Sequence, residues 1–166
     1  VNAVGTNMYG PSGSMVWNSP TIDHTRNQLF ICTGENMSSP ADHSSDAIFA
    51  IDLTTGKVNW IYQALANDAW NTACGTNTPQ SCPKEDGPDF DFGAGTLLVK
   101  TDSGRQLVVA GQKSGIVHAL EPKTGKLVWK NRVGRGGIQG GVHFGMAAGD
   151  GKIYVPISDG PDGREY

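Results

Sequence analysis

Two carboxylates stand two residues apart, at Asp89 and Asp91, and each is followed by a phenylalanine. Paired acids can carry out acid–base chemistry, as they do in glycosidases. The alternation with Phe90 and Phe92 predicts that one face of this segment is apolar. We therefore expect these acids to lie against a core, unlike a wholly solvated acidic loop.

Further oxygen-bearing side chains occupy the segment Thr33-Gly34-Glu35-Asn36. Oxygen-bearing side chains of this kind could bind a hard cation. A capped turn would use the same residues, and both interpretations stay open. Lys113, in a Gly-Gln-Lys-Ser-Gly segment, adds a cation that could stabilise developing negative charge or simply open the next strand.

The elements that must position these residues are predicted to be strands. The 166-residue chain holds 23 Gly and 9 Pro, and 17% of its residues are charged. Much glycine between short apolar runs is typical of strands joined by tight turns, and so of an all-β fold. The net charge of −3 gives no sign of a nucleic-acid or anionic-membrane partner, and no apolar run could span a bilayer. We expect both ends of the chain to be cuts through a longer protein.

Two of the three cysteines, Cys74 and Cys82, flank a polar loop that contains proline. Their spacing suits a small disulfide loop in an oxidising compartment. The alternatives are two free thiols or two metal ligands, and the absence of a second Cys or His pair at zinc spacing counts against a metal. Cys32 lies in an apolar run and is expected in a buried strand.

A repeat organises the chain. Residues 47–60 and 115–129 both contain a strand, an acid-x-x-Thr-Gly-Lys turn and a second strand that ends in Trp. The Thr-Gly pair predicts a hairpin whose glycine has positive φ. Four-stranded β-propeller blades fit this repeat, and we expect about three of them; a two-sheet sandwich is the alternative. We see no convincing amphipathic helix.

The spacing of the two copies predicts an insertion. They are 69 residues apart, whereas a propeller blade usually takes roughly 40–50 residues. The excess falls around the two cysteines. We therefore interpret residues 1–166 as one partial propeller with an inserted Cys-flanked loop near residues 71–88.

The repeat resembles the tryptophan-docking repeat of PQQ-dependent (quinoprotein) alcohol dehydrogenases, PQQ being pyrroloquinoline quinone. The linking segments, which are more specific, occur in that family's order: residues 16–23, 33–36, 67–70 and 111–115. The Gly-Glu-Asn, Asp-Ala-Trp-Asn-x-Ala-Cys and Gly-Pro-Asp-Phe-Asp-Phe-Gly segments look most similar to polyvinyl alcohol dehydrogenases within the family.

This resemblance implies an eight-bladed propeller that binds PQQ and Ca²⁺ on its axis. It implies oxidation of an alcohol substrate, secondary or polymeric, with electrons passed to a cytochrome c in the periplasm. A c-type haem domain can occur elsewhere in such chains, and this segment contains no Cys-x-x-Cys-His motif to attach one.

The resemblance also assigns roles to single residues. Trp17 falls where the family stacks an indole on the quinone, and Lys113 falls where a cation faces the quinone oxygens. The spacing from Trp17 makes Glu35 the first candidate for a calcium ligand, with Asn36 next. His143 could donate a hydrogen bond to PQQ or be a structural histidine. The remaining histidines are expected at the surface or in turns: His24, His43 and His118.

The general base is assigned through the insertion. Relatives have His-Asp-x-Trp-Asp, and the last Asp takes the alcohol proton, but here Asn71 stands at that position and an amide cannot be a base. We interpret the Cys-flanked loop as inserted between Trp70 and the catalytic acid. Asp89 is then the base, and Asp91 is a neighbour that can contact the metal.

Two other function classes compete with this hypothesis. A non-catalytic propeller scaffold of the outer-membrane assembly type carries the same repeat but has no need of Trp17, Glu35, Asp89 and Lys113 together. Another all-β enzyme, such as a glycosidase, could use the paired acids to cleave sugars.

Overall fold

The computed structural model describes residues 1–2 and 4–160, and within them the chain forms ten strands. The first sheet contains β1 (Thr21–Asp23), β2 (Gln28–Cys32), β3 (Ala47–Asp52) and β4 (Val58–Gln63). The second contains β5 (Leu97–Lys100), β6 (Gln106–Gly111), β7 (Ile116–Leu120) and β8 (Leu127–Arg132). A two-stranded hairpin follows, with β9 (Ala147–Gly149) and β10 (Lys152–Tyr154).

Each four-stranded sheet is an antiparallel meander in which every strand pairs with the next one along the chain. This is the strand order of propeller blades, and it confirms the all-β prediction. The chain supplies two complete blades and a hairpin that belongs to a third. The only helices of the described residues are two 3-10 turns, Thr72–Gly75 and Pro79–Ser81. No described helix is long and apolar enough to cross a membrane.

The β3–β4 and β7–β8 hairpins share one turn chemistry. Gly56 and Gly125 have φ of 69° and 70°, a backbone conformation that favours glycine. In the first turn the Asp52 carboxylate accepts bonds from the N–H groups of Thr54 and Thr55. The two hairpin turns predicted from the repeat are therefore confirmed.

The first blade is joined to the second by its closing tryptophan. Trp60 Nε1 donates a hydrogen bond of 3.0 Å to the carbonyl of Pro122, which also accepts one of 2.7 Å from Gln28. A Cβ built on Gly125 would lie 2.5 Å from the Trp60 ring. The Thr-Gly turn of one blade thus receives the tryptophan of the blade before it.

One hydrophobic cluster lies between the two blades, and a second packs Val109 and Ala119 of the second blade against Ile153 of the final hairpin. Phe30, Ile48, Val108 and Leu120 are fully buried in the first cluster, together with Phe92 from the segment before β5. Phe90 is 1% exposed, so the predicted apolar face of that segment is confirmed.

The burial of Cys32 and His118 tests two predictions made from the sequence. Cys32 lies in β2 and is buried, as expected. The placement of His118 at the surface or in a turn was wrong. It lies in β7, is 2% exposed and contacts Phe92 and Tyr62. Both faces of β7 are buried in hydrophobic clusters, so a residue in the middle of this strand is buried whatever its polarity.

The Cys74–Cys82 disulfide is present, as predicted. The segment around it is tied to the β2–β3 connection at two points. Asn71 Nδ2 donates to the carbonyls of Met37 and Ser81, and the Glu85 carboxylate accepts bonds from Ser39 Oγ and Ala41 N. The loop is therefore held beside the residues that follow β2.

Candidate active site

Three irregular segments meet at the same end of the two blades. One connects β2 to β3, one leads into β5, and one is the β6–β7 turn. Because neighbouring strands are antiparallel, the end of β2, the start of β5 and the end of β6 all lie on one side. Glu35, Asp89 and Asp91 each place a carboxylate oxygen within 4.8 Å of the other two, and all three are buried.

Lys113 brings the one ammonium group described in this acid cluster. Its Nζ lies 2.7 Å from Asp89 Oδ1 and 3.2 Å from Asp91 Oδ2. Its backbone N–H donates to the carbonyl of Asp91 at 2.9 Å, so turn and side chain are fixed together. Although burial opposes its charge, the carboxylates of Asp91 and Asp89 raise the pKa of Lys113. The lysine is therefore charged between the two acids.

The acids differ in how readily they ionise. Burial, then the hydrogen bond and charge of Asp91, raises the pKa of Glu35 to about 9. Burial also works against ionisation of Asp91, but hydrogen bonding from Glu35 and the charge of Lys113 bring its pKa below the ordinary value. Burial raises the pKa of Asp89 to about 7 despite Lys113. Glu35 therefore binds a proton more readily than Asp91 does.

Trp17 and His143 lie together beside the segment that leads into β5. Their ring centroids are 5.7 Å apart at 63°, and Trp17 is 41% exposed. A Cβ on Gly93 would lie 2.6 Å from the Trp17 ring, so the glycine allows the indole to lie against the backbone. Asn18 fixes this arrangement with hydrogen bonds to the carbonyls of Cys32 and Phe92, at 3.0 and 2.7 Å. Burial, with the charge of Lys113 adding, lowers the pKa of His143.

The side chains of Asn36 and Asn71 form hydrogen bonds with neighbouring loops. Asn36 uses its side-chain oxygen to accept the Asp42 N–H at 2.8 Å, and its Nδ2 is buried with no partner in the described residues. Asn71 caps the 3-10 turn through the Ala73 N–H at 2.9 Å. The geometry thus joins Glu35 with Asp89 and Asp91, and engages Asn36 and Asn71 with loop backbone.

Comparison with known proteins agrees with this fold. The family model described as PQQ_2, Outer membrane protein assembly factor BamB, matches residues 63–161. A polyvinylalcohol dehydrogenase of a Pseudomonas species is 41% identical over 160 residues, which is 96% of this chain and 25% of the relative. The chain belongs to the PQQ_2 family. A polyvinylalcohol dehydrogenase of Sphingopyxis sp. (strain 113P3) is 37% identical over 162 residues, again 96% of this chain and 25% of the relative.

The chain spans about a quarter of the length of the curated relatives it matches. Its fold is similar to that of the quinohemoprotein alcohol dehydrogenase from Comamonas testosteroni. The TM-score is 0.53 at 24% identity, over 73% of this chain and 17% of that protein. At this identity the likeness concerns the fold alone, and it agrees with the propeller blades described above.

Sequence reasoning missed two buried acids beside the cluster. Asp46 and Asp68 are fully buried, and burial followed by their mutual proximity raises the pKa of Asp46 well above its ordinary value. Asp68 accepts bonds from the N–H groups of Asp89 and Phe90. Asp68 belongs to the Asn-Asp-Ala-Trp segment, whose place in the family's order was a usable signal. For Asp46, in the turn just before β3, we find none.

Proposed function

We propose that the whole protein is a PQQ- and calcium-dependent alcohol dehydrogenase, and that its reaction centre includes the buried cluster of Glu35, Asp89, Asp91 and Lys113. The observation that carries this proposal is the meeting of three buried carboxylates with one ammonium group at the end of the blades. Burying charge without a ligand costs folding free energy, so such a cluster is typical of a functional site.

The acid cluster fits a divalent cation. Three carboxylates face one ammonium group, which leaves excess negative charge if all three are ionised. Glu35 Oε2 is buried and has no hydrogen-bond partner in the described residues. Oxygen-only donors of this kind suit Ca²⁺, which would keep Glu35 and Asp91 ionised. We assign Glu35 and Asp91 as its ligands from this chain, with Asn36 as the next candidate through its amide.

The residues beside the cluster fit a planar quinone. The indole of Trp17 is partly exposed, with His143 at its edge, and could stack on a flat ring. We assign Trp17, Lys113 and His143 to cofactor binding. When bound, PQQ supplies the acceptor for the two electrons that leave the alcohol carbon.

Asp89 is the proposed base. Asp91 has one oxygen bonded to the Glu35 N–H at 2.9 Å and the other beside Lys113, whereas Asp89 is held through Oδ1 in the described contacts. The Asp89 carboxylate is thus oriented by Lys113 with an oxygen left to accept the hydroxyl proton. Lys113 also stabilises negative charge that develops near it.

The description of the matching family model names an assembly factor, which favours a second candidate, a non-catalytic propeller scaffold. A buried charged cluster would not be expected to stabilise a scaffold, because the cost of desolvating the charges can exceed their mutual attraction. The cluster therefore supports the enzyme over the scaffold.

The finer features of the proposal come from the named relatives and from the disulfide. Two relatives are polyvinylalcohol dehydrogenases, which supports a secondary or polymeric alcohol as substrate. We propose a cytochrome c as electron acceptor, with a c-type haem domain elsewhere in the chain as an alternative acceptor. The Cys74–Cys82 bridge is typical of an oxidising compartment, which supports the periplasm. Residues 1–166 would form one partial PQQ-type propeller, with the loop near residues 71–88 as an insertion.

The proposal is tested on the full-length protein purified without cofactor. It is incubated with PQQ alone, with Ca²⁺ alone and with both, and oxidation of propan-2-ol and of polyvinyl alcohol is followed with an artificial electron acceptor. We expect turnover only when both PQQ and Ca²⁺ are present. Absence of PQQ binding and of turnover under all conditions would support the scaffold.

A further inference from the structure

Asp68 lies underneath the segment that carries the proposed base and holds its backbone. Asp68 Oδ2 accepts the Phe90 N–H at 3.0 Å, and Oδ1 accepts the Asp89 N–H at 3.4 Å. Asp68 itself is fully buried. One carboxylate therefore serves two consecutive backbone donors on either side of the Asp89 Cα.

The segment needs such an anchor because it lacks regular structure. Residues 88–93 belong to no strand or helix, and Asp89 has a φ of 59°, in the left-handed region that is uncommon for residues other than glycine. Buried backbone N–H groups require partners, and no strand ladder is available here to supply them. The Asp68 carboxylate takes that place, and bonds to a charged acceptor are stronger than bonds to a neutral one.

Asp68 is itself tied to the segment that carries Glu35. The Asn36 N–H donates to the Asp68 carbonyl at 3.2 Å, and the Trp70 N–H donates to the Asn36 carbonyl at 2.9 Å, as in a short parallel bridge. On the other side, the Gly87 N–H donates to the Ala69 carbonyl at 3.1 Å. Asp68 thus links the backbone beside Glu35 to the backbone of Asp89.

The close packing of Gly87 against Asp68 is consistent with this anchoring role of Asp68. A Cβ built on Gly87 would lie 2.0 Å from Asp68 Oδ1 and 3.0 Å from Asp68 Cα. Both the carboxylate and the backbone of Asp68 therefore occupy the space that a side chain at position 87 would need. Only glycine lets the chain pass this closely before it turns into the Asp89 segment.

We propose that Asp68 is a positioning residue of the reaction centre: its carboxylate fixes the Asp89–Phe90 backbone and thereby the distance between the Asp89 and Glu35 carboxylates. This rests on the proposed function for its catalytic meaning, but the anchoring itself is a property of the backbone. Asp68 acts through Asp89 and takes no proton in the reaction.

The chain contains a matched control in Asp23. Like Asp68, Asp23 is almost fully buried at 1% exposure, and its Oδ1 accepts two consecutive backbone donors, the N–H groups of Thr25 and Arg26 at 3.0 and 3.2 Å. It lies in the β1–β2 hairpin, outside the acid cluster. Asp23→Asn and Asp68→Asn therefore change the same kind of backbone acceptor in two places, and Asp23→Asn also removes the 2.6 Å ion pair between Asp23 Oδ2 and Arg26.

The test is residue-resolved hydrogen–deuterium exchange of the full-length protein, read by mass spectrometry, alongside turnover. In the unaltered protein the Phe90 amide must be protected. Asp68→Asn should accelerate exchange at Asp89 and Phe90 by about 10- to 100-fold, the range expected for a lost bond to a charged acceptor. Asp23→Asn should leave exchange at these two amides unchanged.

A second pair of variants tests the contact between Asp68 and the Phe90 N–H while leaving the Asp68 side chain unchanged. Gly87→Ala should push Asp68 away and accelerate exchange at Phe90, whereas Gly75→Ala, where no atom lies within 4 Å, should not. In the loaded enzyme, Asp68→Asn should lower kcat by about tenfold or more with PQQ occupancy retained, and Asp23→Asn should not. Fast Phe90 exchange in the unaltered protein, or no change in both Asp68→Asn and Gly87→Ala, would overturn the proposal. If no variant and no parent turns over alcohol, the proposed function fails while the exchange result still decides the anchoring.

Discussion

Lys113 is joined to Asp91 twice, once through the backbone N–H to the Asp91 carbonyl at 2.9 Å and once through the ammonium group at 3.2 Å from Oδ2. The same ammonium group reaches Asp89 Oδ1 at 2.7 Å. The backbone bond attaches the β6–β7 turn to the segment before β5. The fold therefore holds the Lys113 ammonium group beside the two carboxylates.

Lys113→Met should destabilise the protein strongly in the absence of Ca²⁺. Removing one partner of a buried ion pair leaves uncompensated charge, at a cost of about 3–5 kcal/mol in the free energy of unfolding. Denaturant titration of the full-length protein measures it. Lys126→Met, on the exposed β7–β8 turn, should change stability by less than about 0.5 kcal/mol. Equal stability of the two variants would contradict the described ion pairs.

Asp89→Asn should keep the shape of the side chain and remove its basicity. We expect kcat per bound PQQ to fall about 10²–10⁴-fold, as is typical when a general base is lost. Asp102→Asn, at an exposed turn, is the control and should retain activity. Asp91→Asn should weaken Ca²⁺ binding more than it slows turnover.

Asn71→Asp tests the interpretation that the Cys-flanked loop is an insertion, on which the assignment of Asp89 as the base depends. Asn71 bonds the carbonyls of Met37 and Ser81 and caps a 3-10 turn, so a carboxylate there should not replace the base. The double variant Asp89→Asn with Asn71→Asp should remain as slow as Asp89→Asn alone. Rescue of kcat would put the base on the other side of the Cys74–Cys82 loop.

Gly125→Ala should weaken the contact between the two blades. The new Cβ would meet the Trp60 ring at 2.5 Å, in addition to the strain of positive φ. We expect a loss of about 1–3 kcal/mol beyond that of Gly104→Ala, since overpacking adds to backbone strain. Gly104 also has positive φ, but only the end of Lys100 lies near it, at 3.9 Å. Equal losses, measured by denaturant titration, would mean that Trp60 does not rest on this turn.

His118 should make stability depend on pH. Burial lowers the pKa of His118 to about 4, while the unfolded imidazole titrates at its ordinary value of 6.5. Between these pH values the unfolded state binds more protons, so this contribution is complete above pH 6.5 and is lost as the pH falls toward 4. The loss is on the order of 3 kcal/mol. His118→Gln should flatten the pH dependence of the unfolding free energy in that window, whereas His24→Gln, at an exposed position, should not.

The blades were predictable from sequence because their determinants are local. The two Thr-Gly turns and the closing Trp residues depend on residues nearby in the sequence, and both copies of the repeat contain them. The same locality explains the success with Phe90 and Phe92, where alternation alone predicts a buried face. His118 was misjudged because a histidine carries no local signal of burial; its partners Tyr62 and Phe92 come from distant positions.

The acid cluster was only partly predictable. Glu35, Asp89 and Lys113 could be proposed because motifs in the family's order contain them. The Asp46 N–H is bonded to the Gly34 carbonyl, and Asp68 lies beside the bridge between Asn36 and Ala69. These contacts join separate segments, and one sequence does not encode them in any spacing. The buried charge of Asp46 and Asp68 is visible only once the blades are assembled.

The central claim, that the acid cluster holds a cation which retains the quinone, is tested most directly by Ca²⁺ titration of full-length Glu35→Gln with PQQ present, followed by retention of the quinone absorbance after gel filtration. Glu121→Gln is the matched control, since that glutamate bonds Thr124 in a distant hairpin turn. We predict that Glu35→Gln raises the Ca²⁺ concentration for half-maximal PQQ retention by tenfold or more, while Glu121→Gln leaves it at the parent value. The same half-maximal concentration in Glu35→Gln and the parent would contradict the account.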